Sequence, residues 1–123
     1  MTTRILMIGD DRESTGLLGK SLNKYGFEVI AANTNWEGLH LVREQEPEAV
    51  LLDLMMLEMG GWQILKEIHL VSQAPIIIFS AFSEPDTITS VFEASSDYFL
   101  VKPIPVNTLV AHIKNTVVAA QQY

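Results

Sequence analysis

The run Ala49-Val50-Leu51-Leu52-Asp53 constrains this chain more than any other stretch, because four apolar residues lead straight into one carboxylate. A short apolar run suits a strand buried on both faces, as in a parallel sheet, although a buried helix segment reads the same way. The flanks arbitrate: Pro47 before the run and Gly60-Gly61 after it favour a strand set between helices. An ionised aspartate is rarely buried without a partner. At the carboxyl end of a central strand, Asp53 would lie where open α/β sheets place their ligands. The alternative is an aspartate that caps a helix or a turn, and both readings stand at this point.

The same pattern recurs along the chain. Ile5-Leu6-Met7-Ile8 is a first strand ended by Gly9-Asp10-Asp11, Phe27 to Ala32 a second, Ile76-Ile77-Ile78-Phe79 after Pro75 a fourth with Ser80-Ala81 at its end, and Asp97 to Val101 a fifth ended by Lys102-Pro103. Between them, apolar residues recur at helical spacing. Leu17, Leu18, Leu22 and Tyr25 mark a first helix that Gly26 stops. Thr34-Asn35-Trp36-Glu37 has the form of a capping box and opens a second helix with Leu39, Leu41 and Val42, in which Gly38 costs about 1 kcal/mol relative to Ala. Trp62, Ile64, Leu65, Ile68 and Leu70 suit a third helix. Ser83-Glu84-Pro85-Asp86 starts a fourth, carrying Ile88, Val91, Phe92 and Ala94. Val106, Leu109, Val110, Ile113 and Val117 mark the apolar stripe of a fifth, before a frayed Gln121-Gln122-Tyr123. Strands alternating with helices predict an α/β, flavodoxin-like doubly wound (βα)5 sandwich, with a five-stranded parallel sheet of order 2-1-3-4-5.

At 123 residues the chain is expected to be one domain, spanning 1–123. With 48% apolar and 19% charged residues it is globular rather than disordered. A formal net charge of -7 argues against direct nucleic-acid binding and against an anionic membrane surface. The absence of cysteine excludes disulfides, thiolate catalysis and thiol-zinc sites. No apolar run approaches the ~20 residues of a membrane span and no signal-peptide pattern is present, so a soluble cytoplasmic protein is the expectation.

In the 2-1-3-4-5 order, Asp10, Asp11 and Asp53 come to one edge of the sheet, and the ends of strands four and five add Ser80 and Lys102. Three neighbouring carboxylates repel, and a cation is the simple way to keep them ionised. All-oxygen ligation with open water positions is what Mg²⁺ accepts. The Lys102 ammonium can pair with Asp53 or with an added phosphoryl oxygen, to which Ser80 can donate a hydrogen bond. Metal, ammonium and hydroxyl together would neutralise a phosphoryl group in transfer to a carboxylate. Taken singly, an Asp pair after a strand is often a helix cap and Lys-Pro is often a turn; the joint placement is the informative feature.

These residues carry a resemblance. Asp10-Asp11, Asp53-Leu54-Met55-Met56, Gly61, Ser80-Ala81 and Lys102-Pro103 make the chain similar to the receiver domain of two-component response regulators, over essentially its whole length. The resemblance implies that Asp53 accepts a phosphoryl group from a histidine kinase or phosphotransfer protein. It implies that Asp11 ligates Mg²⁺, with Asp10 nearby or acting through water, Asp53 beside it and the Met55 backbone carbonyl as a further ligand. Ser80 and Lys102 would hold the phosphoryl oxygens. Phe99 falls at the family's aromatic switch position. Ser80 and Phe99 would move together and remodel the face made by the fourth predicted helix, the fifth strand and the fifth predicted helix. That face could serve a downstream effector protein or a homodimer. No enzymatic role is implied beyond the domain's own phosphotransfer and autodephosphorylation.

The chain also departs from the family pattern. Arg12 stands where an acid often follows the Asp pair, putting a positive charge near the metal site. Leu57 replaces the usual Pro four residues after the acceptor, Gly60-Gly61 the usual Asp-Gly, Ser95-Ser96 the common Gly-Ala, and Pro105-Val106 the usual Asp-Pro. Arg12 and the altered loop motivate a second reading, an interaction module that is never phosphorylated. An aspartyl-nucleophile phosphatase fits less well: it would carry its nucleophile near the first strand with a second Asp two residues on. A flavin site would set the carboxylates of Gly9-Asp10-Asp11-Arg12-Glu13 against a phosphate.

Other features have plainer readings. Gly19-Lys20-Ser21 mimics the end of a P-loop, but Ser14 stands where the loop's first glycine belongs and the segment falls mid-helix. His40, His69 and His112 are scattered on separate helices and read as surface or boundary residues. Met55, Met56 and Met59 suit packing. Trp62 reads as packing and Trp36 as an exposed contact.

Overall fold

A computed structural model of the chain describes residues 2–53, 62–80, 98–101 and 105–121; for Trp62, Ser80, residues 98–101 and Gln121 it describes the backbone. The apolar runs form the strands β1 (Arg4–Ile8), β2 (Glu28–Ala32), β3 (Ala49–Asp53), β4 (Ile76–Ser80) and β5 (Tyr98–Val101). Among the described residues the helices are α1 (Arg12–Asn23), α2 (Asn35–Gln45), α3 (Trp62–Val71) and α4 (Val106–Gln121), the last being the fifth predicted from the sequence. The helix expected from Ser83 and the loop from Met55 to Gly61 lie outside the described residues.

All five strands pair in parallel, in the order β2-β1-β3-β4-β5 expected from the alternation of elements. Side chains alternate across each strand, and the two alternating sets enter two separate cores. Leu6, Ile8, Val50, Leu52, Ile76 and Ile78 pack with Leu39 and Val42 of α2 and Ile64, Leu65 and Ile68 of α3. Ile5, Met7, Ala49, Leu51, Ile77 and Phe79 pack with Leu22 of α1 and Leu109, Val110, Ile113 and Val117 of α4. Helices therefore cover both faces of the sheet, and that is why the strands carry continuous apolar runs.

Local chemistry sets the element ends. Thr34 caps α2 as the Thr-x-x-Glu pattern predicts, its Oγ1 accepting the Glu37 N–H at 3.1 Å. The chain leaves α2 through Glu46 in a left-handed conformation (φ 47°, ψ 59°), where glycine is the usual choice. At the amino edge of the sheet, Arg4 Nη1 donates to the Gln45 carbonyl at 2.8 Å, and Nε lies 3.3 Å from Glu28 Oε2.

Three expected core residues face outward instead. On α1, Leu22 is buried and Leu18 half-buried, but Leu17 and Tyr25 are exposed. On α3, Ile64, Leu65 and Ile68 are buried while Leu70 is 83% exposed. At about 100° per residue, Leu17 lies opposite Thr15, Gly19 and Leu22, and Leu70 lies opposite Ile64, Leu65 and Ile68. Tyr25 falls beyond the end of α1, which closes at Asn23. Trp36 is 64% exposed, as expected. His40 is exposed, and His69 and His112 are half-buried on three different helices.

Candidate functional site

Because the strands are parallel, their carboxyl ends share one edge. The registers align them: Ile8 pairs with Leu52, Asp53 with Phe79, and Ser80 with Val101. Gly9 therefore follows β1 level with Asp53 at the end of β3. A Cβ on Gly9 would lie 4.0 Å from the Asp53 Cβ and 3.1 Å from Thr15 Oγ1. The Asp53 distance is ordinary van der Waals contact, so the residue that leads into the acidic pair runs beside Asp53, and the tight neighbour of a side chain at position 9 would be the Thr15 hydroxyl.

Asp53 continues the alternating set of Ala49 and Leu51, on the side of the sheet that α1 covers, and is half-buried. Asp10 and Asp11 are exposed. Asp11 is the N-cap of α1 (φ -91°, ψ 100°). Its Oδ1 accepts the N–H groups of Glu13 at 3.1 Å and Ser14 at 3.3 Å, and its Oδ2 accepts the Ser14 hydroxyl at 2.8 Å. The Thr15 hydroxyl donates to the Asp11 carbonyl at 2.8 Å. The helix-cap alternative raised for the Asp pair thus describes Asp11 in this structure. Arg12, the first residue of α1, is exposed at the same edge.

Asp10, Asp11 and Asp53 are brought to one edge, joined there by the backbone of Ser80 at the end of β4. Phe99 lies on β5 and pairs with Ile78. Met55 and Lys102 lie outside the described residues. Among the described residues no group of three or more His, Asp or Glu is gathered closely enough to hold a metal ion. The donor chemistry nonetheless fits a hard cation, since Asp10, Asp11 and Asp53 offer carboxylate oxygens at this edge.

Two further contacts were not legible in the spacing of residues. Asn33 Nδ2 donates to the Gly9 carbonyl at 3.0 Å across 24 residues of sequence, and the Gly9 N–H donates to the Ala32 carbonyl at 3.0 Å. The Ser14 hydroxyl on Asp11 was also missed in the sequence, where its one signal is an Asp-x-x-Ser pattern at a helix start.

The response regulator receiver domain model matches residues 5–114. The chain belongs to that family. This receiver domain is 32% identical over 110 residues to the transcriptional regulatory protein AfsQ1 of Streptomyces coelicolor, covering 89% of this chain and 49% of the relative. It is 37% identical over 112 residues to the CpxR homolog of Haemophilus influenzae, covering 91% of this chain and again 49% of the relative. The chain thus spans about half the length of the curated relatives it matches. Its fold is that of a CheY-like receiver domain from Methanospirillum hungatei, with a TM-score of 0.89 over 99% of this chain and 98% of that one at 23% identity. A response regulator from Burkholderia pseudomallei, solved with a phosphorylated aspartic acid, a calcium ion and citrate, matches with a TM-score of 0.83 at 21% identity, over 98% of this chain and 71% of that one. The receiver domain is a signalling domain of two-component systems. No helix among its described residues is long and apolar enough to cross a membrane.

Proposed function

We propose that residues 1–123 act as one phosphoacceptor switch in which Asp53 takes a phosphoryl group from a histidine kinase or phosphotransfer protein. The observation that carries this reading is the placement of Asp53, half-buried at the end of β3, with Gly9, the residue that leads into the acidic pair, beside it. A carboxylate oxygen of Asp53 forms a bond to phosphorus as the donor's P–N bond breaks, and the donor imidazole leaves with that electron pair. Asp11 and Asp53, with Asp10 through water and the Met55 carbonyl, are the residues that would hold Mg²⁺. When bound, the ion offsets the charge of the phosphoryl oxygens. Ser80 and Lys102 hold the remaining oxygens, and the Ser80–Phe99 pair passes the change to the face containing β5 and α4. That face engages a downstream effector protein or a second copy of the chain, and the protein works in the cytoplasm.

The named aspartates, the parallel edge and family membership support this reading, and the phosphorylated aspartic acid of the Burkholderia pseudomallei relative shows that a protein of this fold carries the modification. Beryllium fluoride, which mimics an acyl phosphate, tests it. The expected result is a change in the backbone amide spectrum around Asp53 that requires Mg²⁺ and is absent in Asp53→Ala. A second reading, an interaction module that is never phosphorylated, draws on Arg12 and on the engagement of the Asp11 carboxylate with the α1 N-terminus. No spectral change in the wild type at saturating Mg²⁺ and fluoride would favour it.

A further inference from the structure

We infer that Asn33 is a positioning residue for the metal-binding acids: its side-chain amide holds the Gly9 carbonyl and thereby sets the path of Asp10 and Asp11 past Asp53. This rests on the proposed function for its biological meaning, but its physical content concerns only the loop and a divalent cation.

The β1–β2 ladder pairs Ile8 with Ala32 and extends one step further, with the Gly9 N–H donating to the Ala32 carbonyl at 3.0 Å. A parallel ladder would next have Gly9 accept from the backbone N–H two residues on, at Thr34. Thr34 is already the N-cap of α2, and the chain is turning into the helix. Asn33 Nδ2 supplies the donor instead, at 3.0 Å and in a half-buried position. The partner is a carbonyl, which can only accept, so the NH₂ end of the amide must face it. Gly9 is therefore held through both its N–H and its C=O immediately before Asp10. It also neighbours Asp53: a Cβ on Gly9 would lie 4.0 Å from that of Asp53. A rotation of the Gly9–Asp10 peptide would swing both acids relative to Asp53. Asn33 lies on the turn after β2 and touches none of the reacting groups, so it acts through the acids.

Groups that orient metal ligands typically change metal affinity by about 10–100-fold when removed. The test is calorimetric titration of the metal-free chain with Mg²⁺, comparing wild type, Asn33→Ala and Thr34→Ala. Thr34→Ala removes the adjacent helix cap and controls for a merely structural effect, since it should lower the melting temperature without moving the Mg²⁺ affinity. Asn33→Ala is expected to weaken Mg²⁺ binding about tenfold while circular dichroism stays that of the wild type. Its rate of acetyl phosphate uptake should return to the wild-type value once Mg²⁺ is saturating. Equal Mg²⁺ affinity in Asn33→Ala and wild type would overturn the inference, as would an equal loss in Thr34→Ala. A wild type that binds Mg²⁺ but takes no phosphoryl group would overturn the proposed function and leave the positioning role standing or falling on the titration. A wild type that binds no Mg²⁺ would overturn the positioning role outright.

Discussion

Gly38 lies early in α2, where helix propensity alone would favour alanine by about 1 kcal/mol. The structure reverses that expectation. A Cβ there would lie 2.5 Å from Ile8 Cδ1 and 2.9 Å from Ile8 Cγ1, inside the closest packing of α2 on β1. Gly38→Ala is therefore expected to lower stability by about 1–3 kcal/mol, as overpacking does, and denaturant unfolding measures it. A gain of stability would show that the helix can move away from Ile8 at little cost. Sequence alone carried the glycine but not the neighbour, because the contact joins residues 38 and 8. The same limit applies to Asn33, whose partner Gly9 lies in another loop, and to Asp11. That residue was legible both as a metal ligand and as a helix cap, and only the distances to Glu13 and Ser14 show it capping α1.

Among the elements, α3 separates periodicity from phase. Its apolar residues identified a helix, and Ile64, Leu65 and Ile68 do face the sheet, while Leu70 points to solvent. Leu65→Ala should cost about 2–5 kcal/mol, the range for a buried leucine. Leu70→Ala should fall within about 0.5 kcal/mol of wild type, as surface changes do. Thermal unfolding of the two variants side by side checks the contrast, and equal losses would mean that Leu70 is covered in solution. The stripe of α4 was fully legible because Leu109, Val110, Ile113 and Val117 leave one phase open. In α1 the adjacent pair Leu17-Leu18 hid the phase, since the small residues Thr15 and Gly19 fill the buried face beside Leu22. The capping pattern at Thr34 was readable because a cap is local. The left-handed Glu46 was not, because nothing in its residue type asks for that conformation.

At the level of the whole molecule, five apolar runs alternating with helical spacing were enough to predict the parallel sheet and its strand order, since right-handed crossovers leave few other arrangements. That order gathers the strand ends, so the edge holding Asp10, Asp11 and Asp53 was legible in the sequence. The distances within the edge were not, because they depend on how each loop leaves its strand. A Cβ on Gly9 would reach to 4.0 Å from that of Asp53, Asn33 ties that loop to the next, and Asp11 turns back onto its own helix. Chemistry at this edge is expected to centre on Asp53, the acid at the end of the central strand. The most direct test is the intact mass of the chain after incubation with acetyl phosphate and Mg²⁺, wild type beside Asp53→Ala. One added phosphoryl group on the wild type and none on the variant is the expected result. No uptake by the wild type, or the same uptake by Asp53→Ala, would contradict it.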